Sequence, residues 1–302
     1  MFGFIFRVFR LIHLIKILNK NESFYYVFNY HSFSKYNNFK IDRGSVLETD
    51  FQNNFEKQIK FYKKYFQFSY PNEFFKNPNY CHSALITFDD GYKDNHDLAL
   101  PVLQKNDAKA IFFIVTSITG TNDMLMHDKI RWLVSIGELE SKYLNIPDKI
   151  NTGINVYSDK VINHVNKIFD KIKNKKRLIL NEHEIKTINK KGFKIGVHTH
   201  NHKPLLFLNK KEQKNEIHTC MKALQNIKIF PETIAYPNGL FNEDTLSICK
   251  DLNIKYGFTT NRGLNRRNCN LLKIKRLGLN VSDSINIVTL KIVLAYFFNK
   301  NE

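Results

Sequence analysis

At 302 residues, 43% of them hydrophobic, the chain has the size and composition of one globular domain with a sizeable core. Forty-six basic against 28 acidic residues give a net charge of +18. The lysines are scattered among asparagines along the whole chain, which argues against a focused nucleic-acid surface and for an anionic glycan or lipid as partner. Four cysteines, Cys81, Cys220, Cys249 and Cys269, have no paired spacing. They require neither a disulfide framework nor a zinc ribbon, and they fit a reducing compartment.

In residues 1–20, Arg7, Arg10, His13, Lys16 and Lys20 recur every three or four positions, among Phe2, Phe4, Ile5, Phe9, Ile12 and Ile15. The charges make a buried span costly, and no small-residue cleavage site follows. A basic amphipathic helix lying in a membrane interface is the expectation; a helix docked on the fold and an uncleaved signal-anchor are the alternatives. Phe24 to Phe28 form a strand-like aromatic run that ends in Asn29-Tyr30-His31. Residues 50–66 read as a helix with Asp50 as N-cap. Ala84-Leu85-Ile86 lead into Thr87-Phe88-Asp89-Asp90-Gly91, a helix broken near Pro101 follows over 94–105, and 110–115 read as a buried strand. Met124, Ile130, Trp132, Leu133 and Ile136 suggest another helix, and Lys171, Lys173, Lys175 and Lys176 look solvated. A helix over 182–191, ended by Gly192, precedes the run Phe193 to Val197 and then His198-Thr199-His200-Asn201-His202. Helices are expected over 212–224 and 242–251, and strands ending at Tyr236 and over 256–260. The apolar helix expected over 284–298 is too short for a span of about twenty residues.

Two of these segments carry chemistry. Adjacent residues at a strand end point to opposite sides, so Asp89 and Asp90 need not do the same job. One carboxylate and two imidazoles make a metal site with an open position. The other carboxylate is then free to act as a base on water. Two histidines at i and i+2 on a strand share a face, so His198 can pair with His200 as well as with His202.

The TFDDG segment, the H-T-x-x-H segment and Ala235-Tyr236-Pro237-Asn238-Gly239 resemble, in order and separation, three motifs of the polysaccharide deacetylases, carbohydrate esterase family four. The resemblance covers residues 24–285. It implies an α/β fold, a distorted (β/α) barrel of about seven strands over 21–302, and removal of N-acetyl or O-acetyl groups from sugars with a divalent metal. Carried over residue by residue, it implies Asp89 as base, Asp90, His198 and His202 as metal ligands, and the backbone N–H of Asn238, after Pro237, as an oxyanion donor. It prefers His202 over His200. Zinc is the first choice of metal, with cobalt, nickel or manganese as substitutes. Residues 118–180 interrupt the family pattern and read as an inserted segment at the rim of the site.

Two departures bear on mechanism. Ala235 stands where many members have an arginine, and the sequence there resembles the branch acting on bacterial poly-N-acetylglucosamine and related surface glycans. The stretch Leu272 to Leu279 lacks the late histidine that serves other members as general acid. His31 is the substitute candidate, against a reading as a histidine packed at a strand end. Arg276 positions base or substrate, or is a surface charge; Tyr236 and Pro237 are expected to meet substrate. The leading expectation is an N-deacetylase of an amino sugar in a bacterial surface polysaccharide or its lipid-linked precursor. It would work in the cytoplasm or at the inner face of the membrane, with an extracytoplasmic, N-terminally anchored form as the alternative. An O-deacetylase, a non-catalytic glycan- or membrane-binding barrel, and a nucleic-acid binder are the competing readings.

Overall fold

The computed structural model describes residues 22–33, 48–145 and 159–299. The helix expected over 1–20, and 146–158 within the expected insertion, lie outside them.

The core is one curved sheet whose paired strands are all parallel: β1 (Tyr25–Tyr30), β2 (Gln67–Phe68), β3 (Ser83–Phe88), β4 (Ala110–Ile114), β5 (Lys194–Val197), β6 (Thr233–Ala235), β7 (Tyr256–Phe258) and β8 (Leu277–Gly278). Its order is β7-β6-β5-β4-β3-β1-β8, with β2 beside the first residues of β3. Every residue of β1, β3 and β4 is buried. Strands covered on both faces must be apolar throughout, which explains their continuous aromatic and aliphatic runs. Segment 271–278 joins the two edges. Its first part exchanges hydrogen bonds with β7, Gly257 N to Leu271 O at 2.8 Å and Ile274 N to Gly257 O at 2.8 Å, and its end pairs with β1. A strand bridging two diverging edges cannot keep one ladder, so the stretch 272–279 contributes only β8.

Helices α1 (Glu48–Tyr65), α2 (Pro71–Lys76), α3 (Leu100–Lys105), α4 (Met126–Ser135), α5 (Asp159–Lys171), α6 (Glu182–Lys190), α7 (Lys210–Asn226), α8 (Glu243–Asp251) and α9 (Ile285–Asn299) surround the sheet. Asparagine caps three of them: Asn181, Asn209 and Asn242 accept from the backbone N–H of Glu184, Glu212 and Thr245. Asp50 is not an N-cap, because α1 begins two residues before it. The helix expected over 94–105 is a π-turn, Asn95–Ala99, followed by α3, with Pro101 near the start of α3 where its missing N–H is tolerated. Helices α4 and α5 pack on each other around a small core of their own, Met124, Ile130, Leu133, Leu139, Val165 and Phe169. Lys175 is not simply solvated: its Nζ lies 4.2 Å from the centre of the Phe169 ring.

Candidate active site

Parallel strands deliver their C-terminal ends to one side of the barrel, where barrel sites are built. Asp89 and Asp90 follow β3, His198 and His202 follow β5, His31 follows β1 and Asn238 follows β6. The turns that carry them are tight. Asp90, Thr199, His202 and Asn238 all have positive φ, 75°, 63°, 56° and 56°. The left-handed region is reached at low cost by Asp and Asn and at high cost by a β-branched threonine. Gly91, with φ 72°, lies against Ile114, so a side chain there would be strained as well as crowded.

The two carboxylates are wired differently. Both oxygens of Asp89 accept from Arg276, Nη1 to Oδ1 and Nη2 to Oδ2, each at 2.8 Å. Asn29 Nδ2 donates to the same Oδ2 at 3.2 Å. Arg276 is itself held: Nε donates to Thr259 O at 2.7 Å, and Nη1 also reaches Asn29 Oδ1 at 2.8 Å. Thr87 Oγ1 donates to Asn29 Oδ1 at 2.9 Å, so the network continues into β3. Burial pushes the Asp89 carboxyl up, but the Arg276 guanidinium, with His198 and His31 beyond it, outweighs burial and holds it below the ordinary carboxylate value. Such a group is a carboxylate at any pH near neutral.

Asp90 faces the histidines. Its Oδ1 lies 3.3 Å from His198 Nε2 and 3.2 Å from His202 Nε2. Burial again pushes the carboxyl up, and hydrogen bonds with His198 and His202 hold it well below its usual range. Burial disfavours the charged His198 ring, and the hydrogen bond with Asp90 and the charge of Asp89 outweigh it and raise its pKa. His198 Nδ1 donates to Ala235 O at 2.7 Å, which fixes the tautomer and aims Nε2 inward. One donor atom from each of Asp90, His198 and His202 lies within 4.8 Å of the others. One carboxylate and two oriented imidazoles fit a divalent metal such as zinc. His200 turns away, its Nδ1 2.9 Å from Thr116 Oγ1, so the chain brings His198 together with His202.

His31 reaches the site from β1 with Nε2 3.8 Å from Asp89 Oδ2, and its side chain is 41% exposed. Asn238 lines a cleft of about 430 Å³ together with His202, Met124 and Met126. The left-handed Gly239 keeps that turn tight, since a Cβ there would lie 2.0 Å from Thr260 Oγ1.

Three expectations need correction. Arg276, at 1% exposure, is neither a surface charge nor a substrate contact; of the roles expected for it, the geometry agrees with holding the Asp89 carboxylate. Tyr236 is fully buried, with its hydroxyl donating to Leu272 O at 2.9 Å and its ring stacked on Phe241. Pro237 is buried too, so neither side chain lies open to a substrate.

Sequence reasoning missed the residues behind the site. Asn29 and Thr87 are polar positions inside apolar strands, which was a usable signal. Beside His202, Tyr92 donates to Asp128 Oδ2 at 2.7 Å, and its hydroxyl lies 3.0 Å from His127 Nε2. The His127 ring meets the His202 ring edge-to-face, centroids 6.0 Å apart.

Residues 76–257 match the family profile described as polysaccharide deacetylase. The chain is similar to the poly-beta-1,6-N-acetyl-D-glucosamine N-deacetylase of Staphylococcus aureus, 27% identical over 215 residues, which are 69% of this chain and 60% of that protein. It spans between half and three-fifths of the length of the curated relatives it matches. The fold is similar to that of the deacetylase PplD of Streptococcus pyogenes, with a TM-score of 0.60 at 21% identity over 90% of this chain and 99% of that one. It also resembles IcaB from Ammonifex degensii, TM-score 0.58 at 17% identity, covering 89% of this chain and 97% of that one. With the profile covering more than half its length, the chain belongs to the polysaccharide deacetylase family.

Proposed function

We propose that this protein is a metal-dependent hydrolase that removes N-acetyl groups from an amino sugar of a bacterial surface polysaccharide or of its lipid-linked precursor. The observation that carries this reading is the pairing of an arginine-clamped carboxylate, Asp89, with an adjacent carboxylate, Asp90, that faces two imidazoles. Asp90, His198 and His202 would hold the divalent metal, zinc by preference, which supplies Lewis acidity toward the acetyl carbonyl.

Amide hydrolysis needs a base, charge stabilisation and a proton for the leaving amine. Asp89 is ionised at neutral pH and takes the proton of the attacking water; Arg276 and Asn29 fix its carboxylate so that it does not reorient during the reaction. The backbone N–H of Asn238, at the rim of the cleft, donates to the oxygen on which charge develops, a contribution of about 3 kcal/mol. His31, close to Asp89 and open to solvent, hands a proton to the departing amine. The Staphylococcus aureus relative, named for poly-beta-1,6-N-acetyl-D-glucosamine, supports a glycan of that class as substrate. The basic, apolar sequence of residues 1–20 supports work at the inner face of an anionic membrane, where a lipid-linked acceptor is found.

The test is acetate release by zinc-loaded protein from N-acetylated glycan acceptors, polymeric and lipid-linked, beside Asp89→Asn. Release that collapses in the variant supports the reading. O-acetylated acceptors run in parallel separate amide from ester hydrolysis. Acceptor binding without release would instead favour a non-catalytic glycan-binding barrel.

A further inference from the structure

Helix α9 buries one side against α1 and β8 and leaves the other uncovered. Ile287, Leu290, Leu294 and Phe297 are between 44% and 51% exposed. Their spacing of three, four and three residues puts all four on one narrow face of the helix. They make up half of the large hydrophobic side chains that stand exposed among the described residues. Scattered exposed leucines are ordinary, but four in a row along one helix are not.

Three observations say what covers this face. The only charged residue in α9 is Lys291, whose ammonium is turned to Gly278 O and Asp283, so no carboxylate of the helix faces outward. The helix has fifteen residues, and no described helix is long and apolar enough to cross a membrane, so a bilayer contact would lie flat. The third concerns the chain that precedes β1. Phe24 meets Tyr296 of α9 edge-to-face, centroids 5.9 Å apart, and Arg266 lies over the Phe24 ring while pairing with Glu22. The described lead-in to β1, Glu22 to Phe24, thus lies at the far end of the same helix, and the sequence before it carries Arg7, Arg10, Lys16 and Lys20 among phenylalanines and isoleucines. An apolar stripe without acidic residues, in a chain whose N-terminal sequence is basic and apolar, has the chemistry that suits an anionic bilayer surface.

We infer that the outer face of α9 is a docking surface for an anionic membrane, with Ile287, Leu290, Leu294 and Phe297 entering the headgroup boundary. The near end of α9 follows β8 after a short loop at the end of the barrel that carries the site. This placement would serve the lipid-linked reading of the substrate, but the surface is tested without any substrate.

The test uses the full chain and vesicles of phosphatidylcholine, alone or mixed with phosphatidylglycerol. The expected result is binding to the mixed vesicles that falls about a hundredfold in Leu290→Glu/Leu294→Glu, roughly tenfold for each apolar side chain withdrawn. Ile287→Gln, a milder change on the same face, should move binding in the same direction. Circular dichroism and acetate release from a soluble acceptor should stay at parental levels. Vesicle binding that is equal in parent and double variant overturns the inference. So does loss of binding in Arg7→Gln/Arg10→Gln with none in the α9 variants, because residues 1–20 would then be the whole contact. A parent that dimerises in ultracentrifugation through this face, and binds no vesicles, overturns it as well. Acetate release in the absence of vesicle binding would leave the deacetylase reading standing and sink this one.

Discussion

Asp89 and Asp90 are neighbours in sequence, equally buried, and set in opposite company. Asp89 belongs to a network of permanent partners: a guanidinium that never loses its charge, an amide and a hydroxyl. Asp90 belongs to a network of exchangeable ones, two imidazoles that can trade a proton for a metal. The first arrangement fixes a charge and its direction; the second leaves room for an ion. Two copies of one side chain thus acquire different roles from what surrounds them.

The contrast can be broken most sharply on the Asp90 side. Asp90→Asn keeps the left-handed backbone and removes the charge, so metal content and acetate release should both fall to background while the fold persists, as read by metal analysis and circular dichroism. Chelation of the parent should do the same, reversibly. Asp89→Asn should give the opposite pattern, with metal retained and the rate reduced by about 10²–10⁴-fold.

Stability separates the two sides again. Removing one member of a buried ion pair leaves a charge without compensation, so Asp89→Asn and Arg276→Met should each lower the unfolding free energy by about 3–5 kcal/mol. The double variant should recover much of that loss and none of the activity, which denaturant unfolding beside acetate release would show. A recovery in both would mean that Asp89 is not the base.

The pH dependence follows from the direction of the shift. The Asp89 carboxyl is depressed in the folded state. Its stabilising contribution is therefore present above the unfolded carboxylate pKa of about 4 and is lost as pH falls through the lower folded value. In Arg276→Met burial dominates, the carboxyl pKa rises, and the acid limb of the residual rate should move to higher pH. An unmoved limb would assign that limb to another group.

Smaller effects are expected from the flanking histidines. His31→Gln should slow acetate release about tenfold, since water can partly replace an exposed donor. His127→Ala should weaken metal affinity by about tenfold through the loosened His202 ring, and His127→Phe, which keeps an edge-to-face partner, should not. Calorimetric metal titration reads that difference independently of turnover.

How far the site was legible depends on how local its signals are. The Asp89-Asp90 and His198-His202 segments each follow an apolar strand within a few residues, and the barrel strands announce themselves as buried runs. Arg276 could not be read in this way. It lies 187 residues from Asp89, within a lysine-rich stretch that resembles surface, and its burial exists only because segment 271–278 closes the sheet. Tyr236 failed in the other direction: its motif suggested a substrate contact, yet strand alternation turns its ring into the core and leaves Asn238 of the following turn at the cleft. The His127–Asp128–Tyr92 cluster depends on how α4 packs back on the barrel, which no local pattern encodes.

Thr199 offers a different kind of consequence. A β-branched residue held at φ 63°, fully buried and flanked by His198 and His200, stores on the order of 1–3 kcal/mol in its backbone. That energy is a reserve that thermal adaptation could release without touching any acid, base or ligand. Thr199→Asn accepts the left-handed conformation more readily and should raise the melting temperature by a few degrees in a thermal melt. The ceiling on this protein's heat tolerance would then be set in the loop that carries His198 and His202 rather than in its core.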